Sequence, residues 1–492
     1  MMNDMPHPEL MMRHFRARME DLDMRNMTLA AITEAVHGTY EGPLELKDQE
    51  VTAVVTDSRK IEKGCLFAAI RGERTDGHRF IPQVIDSGAM AVLAEQSLEK
   101  TEEEYGRPSG GRTVPTIVVD SVLQALKDAA EYYRAQFHIP VVGIIGSAGK
   151  TSTKEMTAAV LGAHYRVLKT EGNFNNELGV PMTIFRLREE HEIAVIEMGI
   201  SHFGEMHRLA KIVRPDTVVM TNIGTAHLEF LKTRDGILKA KSEVFDYFRS
   251  DGHIILNGDD DKLSGIEEKN GVTPLRFGLH EKGFAHTNDF YADDIQPMGF
   301  DGTRCRIHMP SGSISVMIPA PGTHMICNAL AGAAVGCVYG LTTEEIRKGI
   351  ESYQALAGRF RIIRKGSITV IDDCYNANPA SVKASLTILG GAAGRKVAVL
   401  GDMGELGEKS DELHAGVGRE AAAAGIDALY CAGPHMKYAA DTAAEGVPEV
   451  RHFDTAEELL AALPELIQSG DTVLVKASHF MGFDRAVACL TE

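Results

Sequence analysis

Gly146-Ser147-Ala148-Gly149-Lys150-Thr151-Ser152-Thr153 contains the parts of a phosphate cradle. Glycines at 146 and 149 let backbone N–H groups approach phosphate oxygens, and a helix N-terminus behind them adds its positive dipole. The Lys150 ammonium reaches terminal phosphates and the Thr151 hydroxyl can bind Mg²⁺, while Ser147, Ala148 and Ser152 complete the contact surface for phosphates. The usual pattern has one more glycine, at position 144, where this chain has Ile144. Such a loop needs a strand before it and a helix behind it. The apolar run Val141 to Ile145 supplies the first, and Met156, Val160, Leu161 and Tyr165 recur at helical spacing to supply the second. A plain glycine turn is the bland alternative, and the Gly-Lys-Thr triplet in a strand-to-helix setting argues against it.

Other apolar runs stop at polar residues in the same way. Ala194 to Ile196 ends at Glu197, Thr217 to Met220 at Thr221-Asn222, and Ile254 to Leu256 at Asn257. In an open parallel sheet, ligands sit beyond the carboxyl ends of the strands, so these residues are expected beside the cradle. Glu197 and His227 are candidate Mg²⁺ ligands on that ground. Lys239 and Lys241 fall in a helical stretch whose ordinary explanation is a solvated lysine face with Glu243 as partner. A second series follows Gly358: Ile368 to Ile371 ends at Asp372-Asp373, Val397 to Leu400 at Gly401-Asp402, then Ala428 to Cys431, and Thr472 to Val475 ends at Lys476. Asp372 to Pro379 gathers polar side chains at a strand exit, where they either close over a ligand or form an Asx-type turn stopped by Pro379.

Strand and helix alternate throughout, so the fold class is α/β. With 492 residues, of which 44% are apolar, several domains are expected. Residues 1–26 read as a poorly ordered extension, with an alternative start at Met27. Residues 27–137 form a small α/β domain whose charged and Gly/Pro/Ser-rich stretch 101–114 is expected to be a loop. The Ile139-Pro140 step opens a central domain over 138–357, and 358–492 make a third, Rossmann-like domain. A net charge of -18 disfavours a sequence-independent grip on nucleic acid. Seven cysteines without metal-type spacing, no secretory pattern near Arg13, Arg16 and Arg18, and no run long enough to span a bilayer point to a reduced cytoplasmic protein, expected to be a monomer. The small-residue run Ala329 to Leu341 reads as a buried helix.

Taken together, the motifs resemble the ATP-dependent Mur ligases of peptidoglycan synthesis. The resemblance rests on Thr56-Asp57-Ser58-Arg59, Asp76-Gly77-His78-Arg79-Phe80, the phosphate loop, and Thr170 to Pro181 with its Asn173-Phe174-Asn175-Asn176 core. It continues through Glu197-Met198-Gly199, Thr221 to Glu229, Lys239-Ala240-Lys241, Gly322-Thr323-His324, Asn328-Ala329-Leu330, Gly358-Arg359-Phe360, Tyr375-Asn376-Ala377-Asn378-Pro379 and Gly401 to Gly407. The Asn-Phe-Asn-Asn and Tyr-Asn-Ala-Asn-Pro runs together are similar to the member that adds D-alanyl-D-alanine to UDP-N-acetylmuramoyl-tripeptide.

The resemblance implies three domains: the first receives the UDP sugar, the second holds ATP in a P-loop parallel-sheet domain, and the third closes over both. It implies that Lys150 neutralises charge on the transferring phosphate. Thr151, Glu197 and His227 would hold Mg²⁺, directly or through water. Lys241 aligns with a lysine that the family carbamylates, which turns a cation into an anion able to bind a second metal. Asn328 and Arg359 resemble adenine and phosphate contacts. Ser58, Arg59, Asn173, Asn175 and Asn176 resemble contacts to the UDP sugar or its peptide. Tyr375, Asn376 and Asn378 would approach the reacting phosphate or the dipeptide. Met325 stands where the family usually has asparagine, and of Lys476-Ala477-Ser478-His479, which replaces a lysine-glycine-serine-arginine run, only Lys476 is carried over as a substrate contact. Two rivals remain open: a sister ligase adding a single amino acid, and a nucleotide-dependent switch that makes no bond. Amine-dependent ADP release separates the first, and ATP hydrolysis without a UDP-peptide would mark the second.

Overall fold

The computed structural model describes residues 24–72, 75–225 and 227–492. By packing, the chain divides into two compact units. One holds the chain up to Val141 together with Arg166–Met198 and His207–Pro215; the other holds Val142–Tyr165, Gly199–Met206 and Asp216–Glu492.

The first unit is built on a five-stranded sheet in the order Thr39–Glu41, Thr116–Val118, Ala91–Ala94, Leu66–Ala68, Val54–Val55. The first pairing is antiparallel and the other three are parallel. Phe67, Val92, Ile81, Val84 and Ile85 form the core on one face. The helix Val122–Arg134 shows why its sequence folds as it does. Ser121 caps it by accepting from Gln124 N, and Val122, Ala125, Leu126, Ala129, Ala130 and Tyr133 fall on one buried stripe. The Tyr133 hydroxyl donates to Leu187 O at 2.7 Å, tying the helix to the 166–198 segment of the same unit. Two expectations need correction. Residues 1–23 lie outside the described residues, but Met24 is fully buried and its N–H donates to Val51 O at 3.3 Å, so the packed chain begins before residue 27. The stretch expected to be a loop over 101–114 begins inside a helix, Leu98–Tyr105, which Ser97 caps and Gly106 ends at φ 89°.

The second unit contains parallel strands in the order Leu275–Phe277, His253–Asn257, Thr217–Met220, Val141–Ile145. The helix Lys150–Leu161 leaves the last of these and packs on the helix Thr323–Val338. That second helix is the expected buried one. Its small residues let the two backbones approach, since a Cβ on Gly336 would stand 2.9 Å from Val160 Cγ1. An antiparallel three-stranded sheet, Tyr291–Pro297, Thr303–Met309, Gly312–Ile318, precedes this helix. A six-stranded sheet then runs Arg361–Lys365, Ile368–Asp372, Thr472–Lys476, Lys396–Gly401, Ala428–Ala432, Glu449–Phe453, antiparallel at its first pair and parallel after it. Its cores lie on both faces, with Leu386, Leu400 and Leu429 on one and Val399, Tyr430 and Val475 on the other.

Candidate active site

The loop at 146–150 is shaped by the end of the strand Thr217–Met220. Asn222 O accepts from Ser147 N at 3.0 Å and Asn222 Oδ1 from Ala148 N at 2.9 Å, while Ala148 O accepts from Thr221 Oγ1 at 2.6 Å and Asn222 Nδ2 at 3.0 Å. Gly146 passes so near this strand end that a Cβ would lie 1.9 Å from Thr221 Oγ1, and Gly149 opens the helix in the left-handed region at φ 77°. Thr221 and Asn222 thus form part of the cradle's frame. Sequence reading placed them at a strand end but gave them no role.

Two lysine side chains meet on one carbonyl: Lys150 Nζ and Lys241 Nζ each donate to Gly146 O at 3.0 Å. Lys241 is 2% exposed. Burial, and after it the charge of Lys150, pushes its pKa well below the ordinary lysine value. The solvated-face explanation fails for this residue. Lys239 is exposed, Lys241 turns inward from the helix Arg234–Ser242, and Glu243 accepts from Gly204 N at 3.0 and 2.9 Å. A lysine held toward its neutral form is a nucleophilic amine rather than a surface cation.

From the segment that enters the C-terminal sheet, Arg359 Nη2 donates to Thr151 Oγ1 at 3.2 Å, and its guanidinium lies 3.9 Å over the Tyr375 ring. Asn328 is buried beside the same helix, where its Oδ1 accepts from Thr153 Oγ1 at 2.8 Å and its Nδ2 reaches Met325 Sδ at 3.2 Å. Met325 therefore occupies the amide's donor side.

Lys476 is 3% exposed and donates to Asp373 Oδ2 at 2.6 Å and to Asn376 O at 3.1 Å. Asn376 is exposed and turns its own Oδ1 to Ala377 N at 2.9 Å. Asn378 caps the helix Pro379–Gly390 through a reciprocal box with Ser381, which is the Asx-type arrangement ended by proline. His227, at φ 62°, lies with Nδ1 2.9 Å from Glu405 Oε2, and the imidazole holds that carboxyl below the usual glutamate range. Glu405 lies in the Gly401 to Gly407 run that the resemblance quotes, but the sequence assigned it no role and no partner.

In the first unit, Ser58 and Arg59 lie in a 3-10 turn, with the exposed Arg59 guanidinium on Asp57 at 2.9 and 2.8 Å. Those bonds bring the Asp57 carboxyl down to about 2. Asn173 is exposed and its carbonyl accepts from Asn175 N at 2.7 Å. Asn175 Nδ2 donates to Glu197 Oε1 at 2.7 Å, and Glu197 N donates to Thr170 Oγ1 at 3.0 Å, so the motif asparagine and the strand-end carboxylate meet as a pair. Asn176 Oδ1 accepts from Gly179 N at 2.8 Å, at the start of the helix Gly179–Ile184.

Among the described residues, no group of three or more His, Cys, Asp or Glu side chains could hold a metal ion by itself. A Mg²⁺ that travels with a nucleotide needs only one or two protein oxygens, with phosphates and water supplying the rest. The Thr151 hydroxyl in the second unit and the Glu197 carboxylate in the first are each a hard oxygen donor, the chemical type such an ion takes. No helix among the described residues is long and apolar enough to cross a membrane.

Three family models match the chain in order: "Mur ligase family, catalytic domain" over 50–134, "Mur ligase middle domain" over 144–336, and "Mur ligase, glutamate ligase domain" over 358–479. The UDP-N-acetylmuramoyl-tripeptide–D-alanyl-D-alanine ligase of Escherichia coli strain K12 is 37% identical over 95% of this chain and 99% of its own length. The crystal structure of MurF from Acinetobacter baumannii is similar at TM-score 0.83 and 34% identity, covering 95% of this chain and 99% of that one. The MurF ligase of Thermotoga maritima, solved in complex with ADP, is similar at TM-score 0.75 and 29% identity over 89% of this chain and 96% of that one. With the cradle, its two lysines and matches along nearly the full length in agreement, the chain belongs to the Mur ligase family and has its α/β three-domain architecture.

Proposed function

We propose that this chain is the ATP-dependent ligase that joins D-alanyl-D-alanine to UDP-N-acetylmuramoyl-tripeptide, giving the pentapeptide precursor of peptidoglycan with ADP and phosphate. The observation that carries the reading is the 37% identity to a ligase of that name over 99% of its length. The cradle supplies the matching chemistry. A carboxylate is a poor electrophile. Transfer of the γ-phosphoryl group to it makes an acyl phosphate, and the amine of the dipeptide then displaces phosphate to form the amide. Such a transfer depends on positioning and on fixed charge more than on covalent help from protein groups.

Each residue has a part. Backbone N–H groups of Gly146 to Thr151 hold the phosphates, and Lys150 and Arg359 oppose their charge. Thr151, Glu197 and His227 would hold Mg²⁺, which neutralises charge on the β- and γ-phosphates when bound. The neutral amine, toward which burial pushes Lys241, is the form that adds CO₂, and the carbamate it gives would be a further metal-binding anion. Asn328 lines the nucleotide side. Ser58, Arg59, Asn173, Asn175 and Asn176 receive the UDP sugar and its peptide. Asn376, Asn378 and Lys476 stand on the side of the dipeptide. The domains run from the buried Met24 to residue 137, over 138–357 and over 358–492, and the reaction belongs in the cytoplasm, where ATP and the UDP-linked precursor meet.

The test is mass analysis of the product formed from ATP, UDP-N-acetylmuramoyl-tripeptide and D-alanyl-D-alanine. A gain equal to the condensed dipeptide is expected. A gain seen only with a single amino acid would replace this reading with that of a sister ligase.

A further inference from the structure

We infer that Tyr375 acts on the nucleotide through Arg359, as a positioning residue that holds the guanidinium on the phosphate loop, instead of contacting the peptide substrate. This rests on the proposed role of Arg359 at the phosphates. The side chain of Arg359 has two partners: the Thr151 hydroxyl at 3.2 Å from Nη2 and the face of the Tyr375 ring, whose centroid lies 3.9 Å from Cζ. A guanidinium stacked on an aromatic face keeps its edge N–H groups free to point elsewhere, and here one of them points at the loop.

The backbone is fixed by the same residue. Tyr375 N donates to Gly358 O at 3.1 Å, and Gly358 N donates to the buried Asp372 carboxylate at 2.9 Å. Arg359 lies between two left-handed residues, Gly358 at φ 73° and Phe360 at φ 57°. A Cβ on Gly358 would stand 3.0 Å from Tyr375 Cβ, so the turn is packed directly against the tyrosine. Phe360 in turn packs on the core of the C-terminal sheet. The Tyr375 ring also lies 5.4 Å from the His479 ring, centroid to centroid, which backs it from a second side. Arginine, turn and ring thus form one assembly, and Tyr375 is the member that touches the other two.

Binding of the non-hydrolysable analogue adenylyl imidodiphosphate with Mg²⁺, measured by calorimetry on the full chain without UDP-peptide or dipeptide, tests this. Tyr375→Leu should weaken binding by about three- to tenfold, the range a half-buried cation–π contact supports, and Tyr375→Phe should restore it. Arg359→Ala should weaken it at least as much, and Tyr375→Leu/Arg359→Ala no further than Arg359→Ala alone. Tyr375→Met, which keeps bulk but has no ring, guards against a folding defect and should behave as the leucine variant does. If Arg359→Ala weakens nucleotide binding while Tyr375→Leu and Tyr375→Met do not, or if the two effects add, the inference fails and the reading of Arg359 stands. If Arg359→Ala leaves binding unchanged, both fall.

Discussion

The second unit has two places where parallel strands end at glycines and a helix begins, and they treat anions in opposite ways. After Val141–Ile145, the loop turns toward cations: Lys150 and Lys241 on Gly146 O, and Arg359 on Thr151. After Lys396–Gly401 and Ala428–Ala432, the chain fills the position with its own carboxylate. Asp402 Oδ1 accepts from His435 N at 3.1 Å and Met436 N at 2.9 Å at the start of the helix Met436–Ala443. Gly433, at φ 117°, runs so close that a Cβ would lie 2.4 Å from Asp402 Cγ. A helix N-terminus favours negative charge whatever its source. One end is therefore left for a phosphate and the other is already satisfied, although both belong to the same sheet architecture.

Substitutions at the two ends should differ in kind. Lys150→Ala should lower dipeptide-dependent phosphate release by about a thousandfold, as expected when a group opposing charge on a transferring phosphoryl is removed, with melting behaviour unchanged. Retention of more than a tenth of the activity would argue against a phosphate role for this end. Asp402→Ala should do the reverse. It strands two backbone donors and should cost about 1–3 kcal/mol of stability by denaturant titration, with affinity for adenylyl imidodiphosphate retained. Loss of nucleotide affinity at an intact fold would show that the two ends are not independent.

The sequence revealed the two ends unequally, for physical reasons. Fully buried parallel strands are continuous apolar runs, so Val141–Ile145, Thr217–Met220, Ala428–Ala432 and Thr472–Lys476 stood out, together with the polar residues that end them. Glu449–Phe453 and Arg361–Lys365 did not, because edge strands carry charges on a half-solvated surface. Thr303–Met309 and Gly312–Ile318 alternate buried and exposed residues instead, so they lack the continuous apolar run that marks the parallel strands. Lys150 was legible because its motif is local. The inward turn of Lys241 was not, since its partner Gly146 O is distant in sequence and its neighbour Lys239 has the same chemistry on the outside. Glu405 opposite His227 is likewise a tertiary pairing with no local signature.

Lys241 sharpens the contrast further, because it brings a buried amine, pushed toward its neutral form, to the cationic end. An unfolded lysine keeps its proton to about pH 10.4, whereas burial makes the folded group release it at lower pH. Between those limits the unfolded chain binds more protons, so this residue's contribution to stability rises with pH. Lys241→Met should therefore raise the apparent melting temperature at pH 7 in CO₂-free buffer, and the gain should shrink as pH rises toward the pKa of free lysine and be absent above it. A gain independent of pH would mean that Lys241 is not held uncharged. For activity, Lys241→Ala should lose far more than Lys239→Ala and recover in part with a small carboxylate. Equal losses without rescue would rule out the carbamate.

Asn378 gives the smallest effect and separates two roles that the sequence left open. As a helix cap its Oδ1 accepts from Ser381 N at 2.9 Å, and Asn378→Ala should cost about 1 kcal/mol. Serine can make the same cap but has no amide group to offer a substrate. If capping is the whole role, Asn378→Ser should match the parent in both stability and KM for D-alanyl-D-alanine. A raised KM in the serine variant at full stability would assign the amide to the dipeptide, because a lost cap cannot raise KM while melting behaviour stays fixed.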